Sequence, residues 1–238
     1  MRSPKTSSNT TKEDTKTQVT YIPSGIKPRV PQKLLQNLHY NVPRHGYFLY
    51  VGRLSKEKRI EDLIQAYQQI QHCSVKLVIV GKERPEDKIY VDSLKQLSED
   101  NPQIIFTGAV YGDALIEWYS NALAYVLPSA IEGLPITLLE AMSFSRCCIA
   151  SDIPANTEAL DGKGLTYPLG DIQTLRKQLE YTINNPDVVQ STGDNLLRHA
   201  YNHYTWHSIA EKFSKFYQKK YTHRLQTNNI SKNTVSEA

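Results

Sequence analysis

Short apolar blocks recur along the chain, each closed by a turn residue, and between them apolar positions recur every three or four residues. Residues 47–51 (YFLYV) end at Gly52, residues 75–80 (VKLVIV) at Gly81, and residues 104–106 at Thr107-Gly108. Residues 124–127 stop at Pro128, and residues 147–150 run into a turn at Asp152-Ile153-Pro154. Blocks of this length, apolar on both sides, predict buried strands. After the first block, Ile60, Leu63, Ile64, Tyr67 and Ile70 fall at helical spacing, which predicts a helix over 57–70. The same periodicity predicts helices over 87–99, 113–121, 135–145, 172–184, 187–204 and 208–221.

Strands that alternate with helices in this way form a parallel sheet covered on both faces. The predicted class is α/β, a Rossmann-like doubly wound parallel sheet. Ligands of such sheets bind beyond the carboxyl ends of the strands. Functional residues are therefore expected just after the apolar blocks.

Composition narrows this picture. A chain of 238 residues with 39% hydrophobic content suits one large domain or two small ones. Residues 1–18 are rich in Ser, Thr and Lys and bury too little apolar surface to fold alone. Residues 223–238 are again polar, so one domain is expected over 19–222 between two disordered segments. The net charge is +4 with no long Lys/Arg run. That excess fits phosphate-bearing small molecules, or a face near anionic lipid, and argues against a nucleic-acid groove. Cys73, Cys147 and Cys148 are odd in number and lack CxxC spacing, which excludes a disulfide framework or a zinc site. Cys147 and Cys148 lie in an apolar block and are expected to be buried and reduced. Residues 1–18 have no apolar signal region, and no stretch is apolar enough to span a bilayer. The expected location is cytoplasmic, reaching the inner face of the membrane through an acceptor.

Two segments carry candidate chemistry. The first is Ser129-Ala-Ile-Glu132-Gly133-Leu134-Pro135, directly after the block at 124–127. Gly133 permits a turn or a close approach to a ligand. Pro135 suits the first helical position, leaving the amides of Ile136 and Thr137 free at a helix N-terminus, where phosphate binds readily. Glu140 lies one turn on and can accept two hydrogen bonds from a diol such as ribose. Glu132 can reach a second polyhydroxyl group. Read singly, Glu132 is better taken as a loop carboxylate and Glu140 as a partner of the helix dipole; strand, turn, Gly-Leu-Pro and both glutamates together point to a site. The second segment is Gly52-Arg53-Leu-Ser-Lys-Glu-Lys58, after the first block. Arg53 and Lys58 there can clamp a diphosphate, with Gly52 leaving room, or they can line an ordinary basic helix entry. No GxGxxG fingerprint follows a strand, which disfavours a nicotinamide-dependent oxidoreductase.

Taken in order, YVGRLSKEK, KLVIVGKE, IIFTGAV, YVLPSAIEGLPITLLEAM, ASDIPANTEAL and GLTYPLGD resemble the C-terminal domain of the group 1 glycosyltransferases, family four of the GT-B fold. The resemblance covers residues 21–221. It implies a donor site for a nucleotide-diphospho-sugar, a UDP- or GDP-sugar, with retention of configuration and no required metal or cofactor. By the same resemblance Glu132 binds hydroxyls of the sugar and Glu140 the ribose. Arg53 and Lys58 hold the diphosphate, and the amides of Gly133, Leu134, Ile136 and Thr137 contact sugar and phosphate. Val110 stands where the family's backbone meets the base. The core holds no DxD-like motif. Ser145 and Arg146 depart from the family's glycine before the next strand, a position expected to adjust a helix C-cap. Ser24-Gly25 replaces the linker's common Asn-Gly.

GT-B enzymes have a second, N-terminal domain that supplies much of the acceptor site. Only a short polar stretch precedes the linker-like residues 19–26. The resemblance therefore implies an incomplete transferase, partnered by an N-terminal half. The alternatives are a subunit of a split transferase and a non-catalytic nucleotide- or sugar-binding module. His199 and His203 sit four apart on a predicted helix, as a metal pair would, but no third ligand is in register. An exposed helix face is the expectation for them.

Overall fold

The computed structural model describes residues 22–27, 42–71, 74–99 and 101–233, with side chains as far as Thr222. Cys73, His39, His72 and the segment 1–18 lie outside the described residues. Six strands form one parallel sheet: β1 Tyr47–Val51, β2 Lys76–Val80, β3 Ile104–Gly108, β4 Ala124–Leu127, β5 Cys147–Ser151 and β6 Leu165–Tyr167. Their order is β3-β2-β1-β4-β5-β6. Strands β1, β4 and β5 are buried along their whole length, which is why they read as unbroken apolar blocks. Cys147 and Cys148 are buried in β5, and burial pushes the Cys147 thiol up to about 12.

The helices are α1 Ile60–Gln68, α2 Lys88–Ser98, α3 Gly112–Asn121, α4 Ile136–Ser143, α5 Pro154–Leu160, α6 Ile172–Asn184, α7 Pro186–His203 and α8 Trp206–Asn233. The helix expected over 57–70 is interrupted. Lys56–Lys58 form a 3-10 turn, and Arg59 takes a left-handed conformation (φ 47°) before α1 begins. That kink is held by a local pair and a tertiary one: Arg59 Nε donates to Asp62, three residues on, at 2.6 Å, and the Ile60 amide donates to the Tyr90 hydroxyl of α2. Pro154, expected within a turn, instead opens α5, and β6 follows it. Both elements are too short to show a period. Helix α8 runs through the expected polar tail as far as Asn233, since no Pro or Gly interrupts residues 206–233. No described helix is long and apolar enough to cross a membrane.

At the amino edge of the sheet one buried cation joins two helix ends. Ser145 is left-handed (φ 58°); its amide donates to Met142 and that of Arg146 to Ala141, closing α4 in a Schellman turn without glycine. Arg146 Nε then donates to the Phe144 carbonyl at 2.9 Å, and Nη1 donates to the Ala122 carbonyl at 2.9 Å and to His45 Nδ1 at 3.1 Å. Ala122 ends α3 and Phe144 ends α4. The guanidinium thus faces two negative helix termini, which offset its burial, with a longer-range attraction from the Asp194 carboxylate.

Near the chain's entry, Ile26 pairs with Thr205: its amide donates to Tyr204, and Trp206 donates back to its carbonyl. A side chain on Gly25 would sit 2.7 Å from the Trp206 ring, so only glycine lets the linker lie this close. His199, expected on an exposed face, is buried against His203 and Tyr204, because α7 turns that face onto the core. Among the described residues no group of three or more His, Cys, Asp or Glu could hold a metal ion.

Replacing Arg146 by Met should lower the unfolding free energy by about 3 kcal/mol, since charged hydrogen bonds to buried carbonyls are lost. Arg146→Lys should recover little of it, because one ammonium cannot span these acceptors; urea denaturation measures both. Stability should also depend on pH through His199. Burial, with Lys163 and His203 nearby, holds its pKa below the ordinary 6.5. The folded protein keeps the ring neutral while the unfolded chain takes up a proton, so stability present above pH 6.5 is lost as pH falls below it. Urea midpoints at about pH 7.5 and about pH 5.5 should show the drop, and His199→Gln should shrink it.

Candidate functional site

Strand order reverses between β1 and β4, so the connections after these neighbours leave in opposite directions and open a crevice at their carboxyl ends. Every sequence-predicted site residue lies at that edge. Gly52 and Arg53 follow β1, and Lys58 ends the 3-10 turn after it. Glu132, Gly133 and Leu134 follow β4, and Ile136, Thr137 and Glu140 belong to the first turns of α4. Val110 lies between β3 and α3.

The structure brings Lys58 and Glu132 together across the crevice. Lys58 Nζ donates to Glu132 Oε1 at 2.7 Å, and both side chains are 12% exposed. The two loops are also joined through the backbone, where the Ala130 amide donates to the Glu57 carbonyl at 2.8 Å. The Glu57 carboxylate accepts from the Ser55 hydroxyl at 2.6 Å, which holds its pKa below the usual carboxylate range. Arg53 is looser: its guanidinium is 57% exposed and lies 3.6 Å from Glu57. Its carbonyl is fixed by the Tyr50 hydroxyl at 2.8 Å.

Glycines shape the floor. A side chain on Gly81 would stand 2.3 Å from the Gly52 carbonyl, so bare backbone lets the loops after β1 and β2 touch. Beside them an apolar cavity of about 200 Å³ is lined by Gly52, Arg53, Gly81, Val110, Tyr111 and Leu115. Leu115 also borders a smaller cavity of about 80 Å³ that reaches Glu140 above Tyr119 and Phe144. A groove of about 540 Å³ between Gln69 and Asn184 holds none of the predicted residues.

The start of α4 departs from expectation in two respects. Pro135 precedes the helix as its cap residue, and Leu138 and Leu139 both donate to its carbonyl. The Ile136 amide is engaged, donating to the Leu134 carbonyl at 2.9 Å in a tight turn, and is not free for a ligand. The Thr137 hydroxyl accepts from Tyr125 at 2.7 Å. Tyr119 donates to Glu140 Oε2 at 3.3 Å.

Sequence reasoning missed Ser55, Glu57, Tyr119 and Tyr125. The tyrosines sit in apolar blocks and helix faces where they read as core. Only their hydroxyl contacts distinguish them.

The segment 41–203 matches the family model for "Glycosyl transferases group 1". The O-antigen chain mannosyltransferase B of Escherichia coli is 31% identical over 159 residues, 64% of this chain and 41% of that protein. The capsular polysaccharide biosynthesis glycosyltransferase CapM of Staphylococcus aureus is 25% identical over 189 residues, 78% of this chain and 49% of that protein. This chain thus spans less than half the length of these curated relatives. Among solved structures, sucrose-phosphate synthase from Thermosynechococcus elongatus superposes with a TM-score of 0.73 at 24% identity, covering 84% of this chain and 52% of that one. Anabaena HepE in complex with UDP-glucose superposes with a TM-score of 0.69 at 19% identity, covering 77% and 51%. These likenesses show the GT-B fold.

Because Lys58 and Glu132 are nearly buried, removing either charge alone leaves the other unpaired. Lys58→Met is expected to cost about 1–2 kcal/mol of stability, and the double variant Lys58→Met/Glu132→Gln less than the sum of the singles. A double-mutant cycle by chemical denaturation measures the coupling; strict additivity would remove the pair's structural role.

Proposed function

This chain belongs to the group 1 glycosyltransferases, and from that we propose that it binds a nucleotide-diphospho-sugar, a UDP- or GDP-sugar, as donor for glycosyl transfer. The observation that carries the reading is the Lys58–Glu132 pair at 2.7 Å, set between two strand ends with the first turns of α4 and Glu140 beside it. A cation that clamps phosphate and a carboxylate that accepts from sugar hydroxyls are thereby held next to one another.

In this reading Lys58 and Arg53 hold the diphosphate, and their charge grows in value as the leaving group departs. Glu132 accepts from hydroxyls of the sugar, and Glu140 from the ribose diol. Gly133, exposed and unobstructed, lets the ligand approach the backbone, and the amides of Gly133, Leu134 and Thr137 complete the contact. The Ile136 amide is left out because it is already engaged. The apolar cavity beside Val110 receives the base. The reading includes retention of anomeric configuration and no required metal, with Arg53, Lys58 and the amides compensating the diphosphate. HepE bound to UDP and UDP-glucose on the same fold supports a uridine donor.

The catalytic cleft needs a second wall. Tyr111 (73% exposed), Ile131 (68% exposed) and Ile136 ring the crevice with apolar surface of the kind a partner covers. We assign that role to an N-terminal GT-B half, which would also bring the acceptor, at the cytoplasmic face of a membrane. The relatives named for O-antigen and capsular polysaccharide synthesis support a saccharide acceptor.

Thermal shift with UDP, GDP and their sugars tests the donor reading. A ligand at about a hundred times its Kd should stabilise the fold by about 2.7 kcal/mol. Glu140→Ala should weaken nucleotide and sugar nucleotide alike, by about tenfold. Glu132→Gln should weaken the sugar nucleotide more than the bare nucleotide. Equal losses at Glu132 for both ligands would overturn its sugar-binding role.

A further inference from the structure

We propose that Tyr119 is a positioning residue for Glu140: its hydroxyl holds, from beneath the site, the carboxylate that receives the ribose diol of the nucleotide. The inference rests on the donor reading above.

Tyr119 lies in the last turn of α3 and is buried. Its ring is stacked on Phe144, with centroids 5.5 Å apart and planes 6° from parallel, and packs against Tyr125 at 5.9 Å. A buried ring packed against two others has little room to swing, which holds its oxygen in place. That oxygen donates to Glu140 Oε2 at 3.3 Å. Burial pushes the phenol well above its ordinary pKa, so it remains a protonated donor. Glu140, only partly buried, opens into the small cavity that Tyr119 and Phe144 floor.

A carboxylate offers about four acceptor positions, and the Tyr119 bond takes one of them. A free glutamate would lose rotamer freedom on binding, whereas one held in advance loses less. The Tyr125 hydroxyl does a parallel service for Thr137, tying the same helix turn to the end of β1, where it lies 3.2 Å from the Val51 carbonyl. Tyr119, by contrast, donates to the carboxylate assigned to the ligand itself.

The test is discrimination between ribose and its dideoxy form. Binding of UDP, GDP and their 2′,3′-dideoxy analogues is measured by calorimetry for the wild type, Tyr119→Phe, Glu140→Ala and the double variant. Wild type should prefer the ribose forms by about tenfold, and Tyr119→Phe should cut that preference by about threefold or more while leaving dideoxy affinity unchanged. In the Glu140→Ala background Tyr119→Phe should change nothing further. A merely structural role would lower affinity for both forms equally, and that result, or no change at all, overturns the proposal. A wild type that binds without preferring ribose defeats the ribose role of Glu140 and this inference together. Failure confined to the variant defeats the inference alone.

Discussion

Everything at the carboxyl edge follows from one topological constraint: the chain leaves β1 toward one side of the sheet and β4 toward the other. Neighbouring strands whose connections diverge cannot be covered by either connection, so a crevice opens between them. The Glu57–Ala130 backbone bond and the Lys58–Glu132 ion pair span that crevice. They fix how far apart the two loops stand, and so the size of whatever ligand enters. The rest of the site hangs from these loops.

The two ends of the sheet solve opposite electrostatic problems. At the amino edge, α3 and α4 end with buried carbonyls that lack helical partners, and one buried guanidinium, Arg146, satisfies them. At the carboxyl edge, α4 begins, and its positive end is left facing the crevice beside Lys58 and Arg53. The same helix is therefore closed by Arg146 at one terminus and presents its positive end to the crevice at the other. The cations at the crevice are accordingly only loosely or singly paired, while Arg146 is buried among several acceptors.

Beneath the crevice lies a layer of buried tyrosines. Tyr50 fixes the Arg53 carbonyl, Tyr125 the Thr137 hydroxyl, and Tyr119 the Glu140 carboxylate. Each combines an apolar ring that fills the core with one hydroxyl that reaches the floor of the site. Rigid core packing is thereby transmitted to polar groups that would otherwise be free to rotate. Tyr111, Ile131 and Ile136, in contrast, leave apolar surface exposed at the same edge.

The sequence by itself determined the fold class, five of the six strands and the list of residues at the carboxyl edge. The physical reason is local: a strand buried on both faces must be apolar throughout, and glycine or proline must close it. The pairing of Lys58 with Glu132 was not legible, because those residues are 74 positions apart and meet only when β1 and β4 become neighbours. Nor was the break at Arg59, which Tyr90 of α2 helps to hold, the amide of Ile136, engaged in a local tight turn without a period of its own, or the burial of His199, which packing of α7 decides. The short α5 and β6 held too few residues to show a period. Sequence thus named the groups and the edge they share; tertiary packing alone decided which of them touch, which are already occupied, and which tyrosines hold them still.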